Sequence, residues 1–96
     1  MPAAPSPQTV ARRVRVHGRV QGVFFRDSCR AEASAHGVAG WVSNEPDGSV
    51  AAQFEGDDAA VEAMVAWCRV GPPSARVQRV DVEPADAEGA VRFEVR

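Results

Sequence analysis

Long apolar runs are missing from this 96-residue chain, and no segment approaches the length of hydrocarbon-compatible sequence that crosses a bilayer. No membrane partner is therefore expected. An excess of positive charge is missing too: the formal net charge is -2 and the sequence pI is about 5.6. That balance disfavours nonspecific nucleic-acid binding and leaves room only for a local positive pocket. Cysteine is down to Cys29 and Cys68, with no Cys-x-x-Cys pair for metal or redox work. Each falls on the apolar side of a predicted helix and reads as a reduced core residue. His17 and His36 have no Cys, Asp or Glu partners at ligand spacing, so neither a metal nor a cofactor is expected. The opening Met1-Pro2-Ala3-Ala4-Pro5-Ser6-Pro7-Gln8 has neither the basic start nor the apolar run of a secretory signal, which predicts a cytoplasmic protein. Its prolines predict a disordered tail over residues 1–11, ahead of a single domain over 12–96 for which a monomer is the default.

What the chain does have is a hydrophobic period that switches between two and about 3.6, locating its elements. Val14 and Val16 alternate with Arg13, Arg15 and His17 in a first strand that ends at Gly18. A helical stripe then runs from Phe25 through Cys29, Ala33 and His36 to a stop at Gly37. Residues 40–44 read as a second strand, with Trp41 expected in the core. Glu45-Pro46-Asp47-Gly48 forms the turn of a hairpin, and Val50, Ala52 and Phe54 make one face of the third strand. Asp57 and Asp58 open a second helix carrying Val61, Met64, Val65 and Cys68, which Gly71-Pro72-Pro73 ends. A fourth strand covers residues 76–83, where Val77 is out of phase with Val80 and Val82 and a bulge is predicted. Val91, Phe93 and Val95 alternate in the last strand.

The order β-α-β-β-α-β predicts an α+β protein with the ferredoxin-like split β-α-β sandwich, its two helices on one face of an antiparallel sheet of four to five strands. An RNA-binding domain shares this order but needs exposed aromatics on its central strands. The face of the third strand opposite Val50 holds Ala51, Gln53 and Glu55, which is no stacking platform.

Between the first strand and the first helix lies Gly18-Arg19-Val20-Gln21-Gly22-Val23-Phe24-Phe25-Arg26. Glycines at both ends let the backbone turn tightly and bring successive N–H groups toward one point. The helix adds unpaired N–H groups and the positive end of its dipole, and Arg26 in the first turn adds a planar fork of donors. Together these predict a cradle for a phosphoryl group. The Gly-Lys-Ser/Thr ending of a nucleotide-binding P-loop is absent. Arg12, Arg13, Arg15, Arg19 and Arg26 gather near the cradle; the first three read either as a solvated strand edge or as a field attracting an anionic substrate.

With those elements placed, the chain resembles the acylphosphatases. The resemblance is carried by residues 18–26, by Gly40-Trp41-Val42-Ser43-Asn44 and Asp47-Gly48 in the hairpin, and by Gly71-Pro72 after the second helix. It implies that the main chain of Gly18, Arg19, Val20, Gln21, Gly22, Val23 and Phe24 wraps a phosphate, that Arg26 binds its oxygens, and that Asn44 orients the attacking water. The activity implied is hydrolysis of a small-molecule acyl phosphate. A carboxylate leaving group, with a conjugate acid of pKa about 4, departs without protonation, so positioning and charge stabilisation suffice. The alternative is a noncatalytic anion-binding or regulatory module on the same fold, including one cut from a larger enzyme that handles carbamoyl phosphate.

Overall fold

A computed structural model describes residues 9–96 of the protein. Its elements run β1 (Val10–Arg19), α1 (Phe25–His36), β2 (Ala39–Asn44), β3 (Val50–Gly56), α2 (Asp58–Cys68), β4 (Arg76–Ala85) and β5 (Phe93–Val95). The tail expected at the start lies, for residues 1–8, outside the described residues. Val10 and Ala11, assigned to that tail from the sequence, instead extend β1: they pair with Gly56 and Glu55, and Ala11 is buried.

The five strands form one sheet in the order β4-β1-β3-β2-β5. Parity along each strand decides its faces. Val14, Val16, Val42, Val50, Ala52 and Phe54 turn to the side covered by both helices and are all buried. Against them pack Phe25, Cys29 and Ala33 of α1, one helical turn apart, and Val61, Met64, Val65 and Cys68 of α2. Fully burying each larger side chain contributes about 1.5–3 kcal/mol. Both cysteines are free and sit in this core as predicted. Their thiols meet between the helices, and the bond with Cys68 together with burial pushes the Cys29 thiol up, so it stays protonated.

The bulge predicted in β4 lies opposite the end of β1: His17 pairs with Arg79 but Gly18 pairs with Val77, leaving Gln78 unmatched.

Three sequence expectations need correction. The sheet is mixed, because β5 runs parallel to β2 while the other pairings are antiparallel. β4 and β5 occupy opposite edges, so the connection over residues 86–92 crosses the sheet face that the helices leave open and brings the chain back in the direction of β2. It seals that face. The buried Gln53 amide donates to the Asp86 carbonyl at 3.1 Å, and the buried Glu55 carboxylate accepts the N–H groups of Glu88 at 3.0 Å and Ala90 at 3.2 Å. Val91, expected in the last strand, belongs to this connection and is exposed. Trp41 lies on the crossed face rather than in the helix-side core, since its neighbour Val42 takes the inward position. The guanidinium groups of Arg13 and Arg96 each lie 4.9 Å from the Trp41 ring centroid, and its indole N–H donates to Glu88.

Candidate active site

The C-terminal ends of β1 and β2, the starts of β3 and β4 and the end of β5 share one edge of the sandwich, and the residues singled out by sequence collect there. β1 gives way to the loop at Gly18, whose φ of 131° lies outside the range other residues favour. A Cβ at Gly18 would run into the main-chain oxygen of Arg76, so close passage of β4 demands glycine. Gly22 has φ 73° and makes the second turn. Phe24 is the loop's surprise. It adopts the left-handed conformation at φ 62° and ψ 23° as the N-cap of α1, with its ring 76% exposed. A non-glycine residue held this way stores about 1–2 kcal/mol. In return the chain turns at once into α1, where the Ser28 N–H bonds to the Phe24 carbonyl at 3.0 Å.

The loop is anchored on both sides. The Gln21 side-chain amide donates to the carbonyls of Glu45 at 2.7 Å and Ser49 at 2.9 Å, clamping the loop to the β2–β3 hairpin. The Ser74 hydroxyl donates to the Val23 carbonyl at 2.8 Å, clamping it to the segment before β4. Between these anchors the N–H groups of Gln21, Gly22, Val23 and Phe24 donate to no protein acceptor among the described residues. Those of the first turn of α1 are unpaired by helix geometry. A cluster of main-chain donors at a helix N-terminus favours an anion.

Arg26 and Asn44 reach the same place. A cleft of about 310 Å³ is lined by Val20, Gly22, Phe24, Arg26 and Asn44, with Phe25, Asp27 and Val95 also in its walls. Arg26 Nη1 donates to the main-chain oxygen of Arg96 at 2.9 Å, and the Arg96 N–H in turn donates to the Val42 carbonyl at 2.8 Å. Thus β5, docked on β2, steadies the guanidinium. Asn44 ends β2 opposite Val50. Its main-chain oxygen accepts from the Ser43 hydroxyl, while its side-chain amide has no partner among the described residues.

The remaining sequence candidates divide. Arg19 and Val23 line a different cleft, on the β4 side of the loop, and Gln21 contributes its amide to the hairpin rather than its side chain to the cleft. Arg12, Arg13 and Arg15 are not a solvated edge, because β1 lies inside the sheet and each side chain has a partner. Arg13 donates to the Gln53 carbonyl oxygen, Arg12 faces Glu62 at 4.0 Å, and Arg15 bonds Ser49 and lies 3.6 Å from both Glu45 and Asp47. In the hairpin turn, Asp47 accepts both the hydroxyl and the N–H of Ser49, which with Arg15 nearby hold its carboxyl below the usual range. Sequence reasoning missed Arg96 and Val95, because nothing local to either signals that a distant strand returns beside α1. Among the described residues no three His, Cys, Asp or Glu side chains group as metal ligands.

Over most of its length the chain is similar to known proteins. The acylphosphatase family model matches residues 12–95. A protein named acylphosphatase from Rubrobacter xylanophilus is 59% identical over 90 residues, covering 93% of this chain and 82% of its own length. The structure of an acylphosphatase from Coxiella burnetii superposes with a TM-score of 0.88 at 36% identity, over 92% of this chain and 93% of that one. Full-length HypF in its phosphate- and nucleotide-bound form matches at a TM-score of 0.89 and 25% identity, covering 98% of this chain but 12% of that one. On sequence, fold and coverage together, this chain belongs to the acylphosphatase family of acyl phosphate hydrolases.

Proposed function

We propose that the main chain of Gly18, Arg19, Val20, Gln21, Gly22, Val23 and Phe24 holds the substrate phosphate, that Arg26 binds its equatorial oxygens, and that Asn44 positions the attacking water. The observation that carries this reading is the shared cleft: the Arg26 guanidinium and the Asn44 amide line it together with Val20, Gly22 and Phe24, beside unpaired loop amides. Asn44 can accept a hydrogen bond from water through its carbonyl and donate through its NH2, holding the nucleophile without titrating. Water attacks phosphorus in line, the bridging P–O bond breaks, and its electron pair leaves on the carboxylate. One proton of the water goes to a phosphate oxygen, so a dianionic acyl phosphate and water yield a carboxylate and dihydrogen phosphate. Charge developing on the equatorial oxygens meets amides and a guanidinium already in place, which is where such a site gains most of its rate. The protein works as a monomer in the cytoplasm in this reading, which its small single domain and its two reduced core thiols support.

Benzoyl phosphate hydrolysis by the purified protein tests the assignment. Arg26→Ala should lower kcat/KM by about a hundredfold to a thousandfold and weaken inhibition by inorganic phosphate. Asn44→Ala should lower kcat by roughly a hundredfold and leave phosphate inhibition intact, since it touches the water rather than the anion. Full activity in the Arg26 variant rejects a phosphate-binding role for the guanidinium and with it the proposed site. A noncatalytic anion-binding module predicts phosphate binding by the unmodified protein with no turnover.

A further inference from the structure

Asn44, Arg19 and Arg76 lie along one edge of the sheet in a fixed order. Register pairs Arg19 with Arg76, Val16 with Val50 and Asn44 with Val50, so the edge reads β4, β1, β3, β2 from Arg76 to Asn44. In an in-line displacement the entering water and the departing group occupy opposite sides of phosphorus. Water held at Asn44 on the β2 side therefore directs the acyl group toward β1 and β4. There the loop borders a second cleft of about 530 Å³, lined by Arg19, Gly22, Phe24, Pro73, Ala75 and Arg76. Gly22 and Phe24 belong to both clefts, so a substrate gripped in the first can lay its acyl chain in the second. The Ser74–Val23 hydrogen bond holds the far wall against the loop.

We infer that this second cleft is the acyl-group subsite, and that Arg19 and Arg76 select acyl phosphates whose acyl chain ends in a carboxylate. The inference rests on the phosphate-loop and Asn44 roles proposed above. Its own support is the state of the two arginines. Arg19 and Arg76 are exposed and have no acidic partner among the described residues, a state that Arg30, Arg69 and Arg92 share, but Arg19 and Arg76 are the arginines that line this cleft. In the same cleft the exposed Phe24, with Pro73 and Ala75, offers apolar wall for a short methylene stem.

Succinyl phosphate and butyryl phosphate have acyl chains of equal length and differ in the terminal carboxylate, so the ratio of their kcat/KM values reads the subsite. At low ionic strength the unmodified protein should favour succinyl phosphate, and Arg76→Gln should lower the ratio by about fivefold, as for loss of one exposed ion pair. Butyryl phosphate kinetics should be unchanged in that variant, Arg76→Lys should restore most of the ratio, and salt near about 1 M should erase the preference. A ratio unmoved by Arg76→Gln or by salt, or an equal loss on both substrates, overturns the subsite. Failure of the unmodified protein to hydrolyse either substrate instead removes the phosphate-loop reading beneath it.

Discussion

Replacing Gln21 by alanine separates the anchoring of the phosphate loop from the loop's own amides. Gln21 Nε2 makes two hydrogen bonds, to the Glu45 and Ser49 carbonyls at 2.7 and 2.9 Å. Neither carbonyl is orphaned by the change: Glu45 O still accepts from the Gly48 N–H at 3.0 Å, and Ser49 O from the Glu45 N–H at 2.8 Å. The loss is therefore the net value of two bonds, about 1–3 kcal/mol, without the larger penalty of a buried unsatisfied acceptor. In a domain of this size each kcal/mol lowers Tm by about 4–8 °C. Urea denaturation followed by tryptophan fluorescence should show a lower midpoint at unchanged slope. The untethered loop must also be ordered by the ligand, so inorganic phosphate should inhibit more weakly and KM for benzoyl phosphate should rise with it. A variant within about 0.5 kcal/mol of the unmodified protein, roughly half of one bond, and equally inhibited by phosphate, would refute the claim that this side chain holds the cradle in shape.

Other perturbations follow from the same geometry. Gly18→Ala places a methyl group against the Arg76 carbonyl at an unfavourable φ and should cost several kcal/mol, about 3 or more with the strain included, whereas Gly48→Ala at φ 92° has open space and should cost about 1; equal thermal stability of the two variants would contradict the close β1–β4 passage. Phe24→Gly relieves the left-handed strain while adding freedom to the unfolded chain, so stability should hold or rise by up to about 1 kcal/mol, and a clear loss in denaturation midpoint would show that the exposed ring packs on something. Burial pushes the Glu55 carboxyl up, but N–H groups of Glu88, Ala90 and Gly89 and the Gln53 amide outweigh it and hold it below its ordinary 4.5. Its folded form is thus favoured when ionised: the stabilisation is complete above the ordinary value and disappears as pH falls through the lower folded one. Stability measured from pH 7 downward should drop in that acid window, and Glu55→Gln should flatten this part of the profile; an unchanged profile in the variant would assign the acid loss elsewhere.

Local pattern alone determined the elements and the chemistry-bearing loop. Alternation in β1 and β3, the stripe from Phe25 to Ala33 and the phase slip at Val77 are properties of neighbouring residues, and the structure reproduces each, bulge included. Gly18 and Gly22 were legible because a tight turn needs their backbone freedom whatever packs around it, and Arg26 because it stands in the first helical turn after them; Asn44 came only from the resemblance to the acylphosphatases. Tertiary structure decided what distant segments do to one another. Only the return of β5 beside β2 sets the main-chain oxygen of Arg96 beside Arg26, makes the sheet mixed and sends residues 86–92 over Gln53 and Glu55. Parity in β2 sets Trp41 on the face opposite Val42, and the same closure brings Arg96 and Glu88 to its ring. Nor does any local rule put a phenylalanine rather than a glycine in the left-handed position at Phe24; that strain persists because anchors from Gln21 and Ser74, each making contact more than twenty residues away, hold the loop around it. Short-range periodicity records which face of an element is apolar, but the partner across that face is chosen by chain closure, and closure depends on the whole sequence at once.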